Sequence, residues 1–116
     1  MAGIPFSESF KSGEFIFVSG QIGLKEGTKE LVSDDIVEQT HQVMKNIKGA
    51  LERAGSSLND IVKATIYAVN LSNYSEVSDV YVSYLKEPYP AREFIGVKEL
   101  PLGAKIEISV IAKRNK

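Results

Sequence analysis

Only two stretches of this chain carry an apolar pattern of helical period, whereas five carry the alternation of a strand. Two helices can cover one face of a sheet and no more, so the pattern predicts a two-layer α+β domain with one sheet face left bare. The first helical stretch opens at Ser33-Asp34-Asp35, where a short oxygen side chain can cap free amides and acids suit the positive end of the dipole. Val37, Thr40, Met44, Ile47 and Leu51 then recur at helical spacing, and Gly55 is a natural stop. Gly49, inside that stretch, costs about 1 kcal/mol relative to Ala. The second helix is expected from about Asn73 to Leu85, with Val77, Val80, Tyr81, Tyr84 and Leu85 on one face; Pro88 and Pro90 end it.

The strands are expected at Phe6–Phe10, Phe15–Ile22, Ile61–Val69, Ala91–Val97 and Ala104–Ala112. Lys11-Ser12-Gly13-Glu14 supplies a turn that makes the first two a hairpin. Gly23 to Glu30 reads as a loop, and Lys98 to Gly103 links the last two strands. The predicted order is therefore β-β-α-β-α-β-β in a single domain spanning 1–116. In the last strand Ile106, Ile108, Val110 and Ala112 point one way, towards the helices, while Lys105, Glu107, Ser109 and Ile111 point the other. Phe15, Phe17, Ser19 and Gln21 share a face of the second strand. Aromatic residues on an uncovered sheet face imply burial by another subunit, so a homo-oligomer is expected.

Several function classes lack material. Fourteen Lys and Arg against fifteen Asp and Glu give a net charge of −1, which argues against a dedicated nucleic-acid binder. There is no Cys and a single His, so a zinc site, a disulfide or a Ser-His-Asp triad is not expected. His41 reads as a surface or interface residue. The glycines at 20, 23 and 27 lack the strand–turn–helix spacing of a phosphate cradle. MAGIPFSESF has no basic region followed by an apolar run, so no signal peptide is expected, and no apolar run approaches the roughly 20 residues of a membrane span. A reducing cytoplasm is compatible with the absence of Cys.

Arg92, in PYPAREFIG, is the residue that asks for a chemical reason. A guanidinium in a sheet is costly unless paired, and it cannot shed its charge. Arg92 and Phe94 project from the same face of their strand. If a final hairpin sets Phe94 opposite Glu107, Arg92 lies diagonal to Glu107 and within its reach. A plain salt bridge and a bidentate grip on a ligand carboxylate both suit that arrangement. Ser19-Gly20-Gln21 interrupts an apolar strand, which marks a bulge at an interface or a close approach of backbone to ligand. Tyr89, just ahead of Arg92, is a candidate pocket wall.

FVSGQI at 17–22, DIVKATIY at 60–67, PAR at 90–92, LP at 100–101 and KIEISVIA at 105–112 stand in the order of one family. The chain resembles the Rid/YjgF family of reactive intermediate deaminases from about Ile4 to Arg114. That resemblance implies a chorismate-mutase-like fold and a homotrimer with ligand clefts between subunits. It implies hydrolysis of 2-imino acids such as 2-iminobutyrate and 2-iminopropionate to 2-keto acids and ammonia, in the cytoplasm, without metal or cofactor. Arg92 matches the arginine that binds the substrate carboxylate, Glu107 the acid that helps position the attacking water, and Ser19 the pocket hydroxyl with Gly20 beside it. The chain departs from the family pattern at Phe6, where active deaminases usually carry Tyr, at Glu93, and at Phe94, where a small residue is usual. Phe6 and Phe94 are thus expected to line the substrate pocket and retune it. The alternative is a non-catalytic trimer that binds small carboxylates in a regulatory role. A chaperone-like or RNA-cleaving role is a third reading, which the charge balance disfavours.

Overall fold

The computed structural model describes residues 5–114. Five strands and two helices occur in the order β1 (Ser9–Ser12), β2 (Phe15–Gln21), α1 (Ile36–Arg53), β3 (Ile61–Ala68), α2 (Tyr74–Ser83), β4 (Ala91–Gly96) and β5 (Ile106–Lys113). The strands form one sheet in the order β1-β2-β5-β3-β4. The two-layer α+β architecture is as expected. No helix among the described residues is long and apolar enough to cross a membrane.

The expected final hairpin is not formed. β3 lies between β4 and β5, pairing parallel with β4 and antiparallel with β5. The reason is the β3-α2-β4 crossover. A helix that packs back on the sheet returns its second strand parallel to the first, so β4 occupies one side of β3. β5 must then cross to the other side, where it also pairs antiparallel with β2. Phe94 is therefore level with Ile66 and, through it, with Ile108, while Glu107 is opposite Tyr67.

The alternation places Ile16, Val18, Ala64, Ile66, Ile106, Ile108, Val110 and Ala112 on the helix side, all buried. They meet Val43, Met44, Ile47 and Leu51 of α1 and Val77 and Tyr81 of α2 in one core. Phe15 and Phe17 stay 42% and 44% exposed on the opposite face, which no element among the described residues covers. Most element ends shift by one or two residues from expectation, and two differences matter more. The first strand runs Ser9–Ser12, so Phe6 precedes it, and Gln21 leaves the Phe15–Phe17 face. The cause of the second is a bulge between Val18 and Gln21, which re-pairs Gln21 with Ile108 on the helix side.

Local chemistry fixes α1 at both ends. The Asp35 carboxylate accepts the Glu38 N–H at 2.9 Å, and the Ser33 hydroxyl accepts the Asp35 N–H at 3.0 Å. At the far end Gly55 takes φ +84°, its N–H donates to Glu52, and the Ser56 N–H reaches back to Leu51 at 2.8 Å. This closes the helix as a Schellman motif. Gln39 is wholly buried and hydrogen-bonded at both ends of its amide. Its Nε2 donates to the Ser33 carbonyl and its Oε1 accepts the Lys105 N–H, both at 2.9 Å. Gln39→Leu keeps the volume and strands both partners, so it is expected to lower stability by about 1–3 kcal/mol in urea denaturation.

Candidate functional site

Register decides where Arg92 points. Its neighbour across the parallel pair is Ala64, a buried helix-side residue, so the Arg92 side chain emerges on the helix side beside α2. There the guanidinium donates from Nη1 to the Ser78 hydroxyl at 3.1 Å and from Nη2 to the Tyr74 hydroxyl at 2.6 Å. Tyr74 and Ser78 are four residues apart, one turn of α2, and so present their oxygens together. The rings of Tyr74, Tyr81 and Phe94 lie 5.2, 5.3 and 5.7 Å from the guanidinium carbon. Arg tolerates such a setting because its delocalised cation is weakly hydrated and stacks on aromatic faces.

Arg92 is held without a carboxylate. Among the described residues the ion pairs are Lys25–Glu30, Arg53–Glu8, Lys63–Glu93 and Lys105–Asp34. Two of the five guanidinium N–H donors go to neutral hydroxyls, and three remain for a further acceptor. The guanidinium opens on a cleft of about 380 Å³ lined by Tyr74, Ser78, Asp79, Tyr81 and Tyr89. The Tyr81 hydroxyl is buried without a hydrogen-bond partner. Burial pushes its pKa up, while the Arg92 charge pulls it down.

Glu107 belongs to a second cluster on the opposite face of the sheet. Gly20 abuts it so closely that a Cβ there would stand 2.7 Å from the Glu107 carboxyl carbon. Glycine at 20 thus leaves room for the carboxylate against bare backbone. Ser19 is tied to the segment before β1. Its N–H donates to the Glu8 carbonyl at 2.9 Å and its hydroxyl to the Ser7 carbonyl at 2.6 Å. These bonds bring the 6–8 segment alongside the bulge, with Phe6 58% exposed next to Ser7. Arg53 of α1 fixes the same segment by a two-point grip on the Glu8 carboxylate, at 3.0 and 2.6 Å. Gly49 makes that reach possible, because the Arg53 guanidinium lies 3.1 Å from where its Cβ would be.

The structure therefore brings Ser19, Gly20 and Glu107 together and leaves Arg92 and Phe94 across the sheet from them. A salt bridge between Arg92 and Glu107 within one chain is ruled out by this geometry. Phe94 packs against the core and edge-on to Tyr74, with ring centroids 4.8 Å apart. It supports Tyr74 and Arg92 from beneath. Tyr74 and Ser78, the hydroxyls that hold Arg92, do not stand out in the sequence; the signal was the helical spacing of Tyr74, Ser78 and Tyr81. His41 is half-buried, its Nδ1 2.8 Å from the Tyr84 hydroxyl.

Burial raises the Glu107 carboxyl pKa above its ordinary range. The folded protein then favours the protonated acid, a contribution present below the unfolded pKa and lost as pH rises through the folded value. A reaction that needs the ionised carboxylate is expected to gain rate with pH across a range above the usual Glu titration. A pH–rate profile checks this: the limb should disappear in Glu107→Gln, and that variant should be no less stable than wild type at pH 8.

A sequence model of the family described as "Endoribonuclease L-PSP" matches residues 1–114. A RutC family protein of Pyrococcus horikoshii is 44% identical over 108 residues, covering 93% of this chain and 86% of that protein. A protein of Dermatophagoides farinae named 2-iminobutanoate/2-iminopropanoate deaminase is 35% identical, covering 92% of this chain and 84% of its own length. The crystal structure of RidA from the Antarctic bacterium Psychrobacter superposes with a TM-score of 0.91 at 39% identity, covering 97% of this chain and 91% of that one.

Proposed function

The chain belongs to the Endoribonuclease L-PSP family, the Rid/YjgF proteins, and from that membership we propose that it hydrolyses reactive 2-imino acids to 2-keto acids and ammonia in the cytoplasm. The observation that carries the reading is Arg92: a permanent cation, preorganised by two hydroxyls and three rings, with no ion-pair partner among the described residues. A substrate carboxylate supplies the missing anion through two parallel N–H···O bonds. The protonated imine is already electrophilic, so orientation and a placed water matter more than a strong base. The Glu107 carboxylate accepts a hydrogen bond from water and directs its oxygen at the imine carbon. The C–O bond forms as the C=N π pair moves to nitrogen. One proton passes from oxygen to nitrogen, the C–N bond breaks to release ammonia, and the ammonia takes the remaining hydroxyl proton, leaving the carbonyl and ammonium. No metal or cofactor is needed for this sequence of steps.

Arg92 and Glu107 face opposite sides of their own sheet, so a site using both takes them from two chains. We place the site between the subunits of a homotrimer, with Arg92 from one protomer and Ser19, Gly20 and Glu107 from its neighbour. The bare face with Phe15 and Phe17 supports assembly. A second reading keeps the trimer and the carboxylate site but not the turnover. Phe6 favours it, because the residue before Ser7, whose carbonyl the Ser19 hydroxyl holds, carries a ring without a hydroxyl. RNA cleavage fits worse, since a net charge of −1 offers no stripe of cations to neutralise phosphates.

The test is a coupled assay in which a dehydratase or amino-acid oxidase makes 2-iminopropionate or 2-iminobutyrate in place. Faster release of keto acid than spontaneous decay is expected. A folded protein that leaves decay at the spontaneous rate overturns the deaminase reading, and retained binding of pyruvate would then favour the second.

A further inference from the structure

The Arg92 cleft sets the rings of Tyr74, Tyr81 and Tyr89 beside the polar side chains of Ser78 and Asp79, more aromatic surface than a methyl or ethyl side chain requires. Tyr74 and Tyr89 stand at its rim, 45% and 51% exposed, and the Tyr81 ring forms its inner wall. The two rim rings are held differently. Tyr74 is fixed at its hydroxyl by Arg92 and at its ring by the edge-to-face contact with Phe94, at 4.8 Å and 64°. Tyr89 lies between Pro88 and Pro90, which restrict the backbone on both sides of it. Large aromatic surface left in water beside a cation of unmet charge is the signature of a binding surface rather than of a core. The cleft is open to solvent, and its volume of about 380 Å³ lies at the lower end of the range of small-molecule sites.

Resting on the deaminase reading above, we propose that the cleft selects 2-imino acids with planar aromatic side chains over those with small aliphatic ones, with Tyr89 and Tyr74 as the specificity-determining rings. The carboxylate is anchored at Arg92, and the substrate ring stacks offset or edge-on against the tyrosines at the mouth. The fixed Tyr74 ring keeps its share of this contact from costing side-chain freedom on binding, which favours selection by ring shape. A substrate with a methyl or ethyl side chain anchors its carboxylate at Arg92 equally well and leaves the rim rings in water.

The test compares imines made in place by an L-amino-acid oxidase from phenylalanine and from alanine. Wild type is expected to favour the phenylalanine imine in kcat/KM by roughly tenfold or more. Tyr89→Ala is expected to collapse that ratio and Tyr89→Phe to restore it. A wild-type ratio near one, or a ratio that Tyr89→Ala leaves unchanged, overturns the proposal. Calorimetric binding of phenylpyruvate and pyruvate, the stable products, separates this failure from that of the deaminase reading. If no imine is hydrolysed, the reading of turnover falls, yet tighter binding of phenylpyruvate that weakens in Tyr89→Ala still supports the selective cleft. Equal binding of the two acids overturns it.

Discussion

Arg92→Ala is expected to lower kcat/KM for imine hydrolysis by about a hundredfold to ten-thousandfold. The estimate follows from two charge-assisted hydrogen bonds to the substrate carboxylate, each worth about 1.5–3 kcal/mol, with about 1.4 kcal/mol per factor of ten. Loss of the anchor acts on KM, through binding, and on kcat, through the aim of the imine carbon at the placed water. Arg92→Lys should recover only part of the loss, because an ammonium cannot reproduce the planar two-point grip and cannot use Ser78 and Tyr74 together. The fold should survive, since both hydroxyls left behind line an open cleft where water can replace the guanidinium. Thermal denaturation beside the kinetics separates the two effects: lost activity with a retained Tm is the expected pair. Unchanged activity in Arg92→Ala would remove Arg92 from the site altogether.

Much of the fold was legible because alternation and helical spacing are local. The second strand, both helices and the burial of Ile106, Ile108, Val110 and Ala112 all follow from residues within a few positions of one another. The order of strands in the sheet is not local, and there the reading failed. A β4–β5 hairpin and the observed insertion of β3 satisfy the same alternating patterns in Ala91–Gly96 and Ile106–Lys113. A clue was present in the connection itself, which runs through residues 97–105 and exceeds the two to five residues of a tight hairpin turn. The bulge at Ser19 and Gly20 was signalled by a glycine in an apolar strand, but its consequence for Gln21 was not. One extra residue turns every later side chain of that strand to the other face.

The candidate site was legible as residue types and only partly as geometry. Arg92, Glu107, Ser19 and Gly20 stand out from composition, strand position and family likeness. The side of the sheet each one faces depends on the pairing, so the reach between Arg92 and Glu107 was read wrongly. Tyr74 and Ser78 could not be tied to Arg92 from the sequence, because the register of α2 over β4 is a tertiary fact. Glu8 and Arg53 are 45 residues apart and meet only when α1 packs beside the 6–8 segment.

If Arg92 and Glu107 serve one reaction from two different chains, mixing inactive variants should bring activity back. Arg92→Ala and Glu107→Gln are each expected to be nearly inactive alone as imine hydrolases. In a closed cyclic trimer every cleft takes one residue from each neighbour, so random assembly of the two variants in equal amounts leaves about one quarter of the clefts with both groups intact. Co-refolding the two chains should therefore restore about a quarter of wild-type activity. A mixed oligomer no more active than either variant by itself would contradict the account.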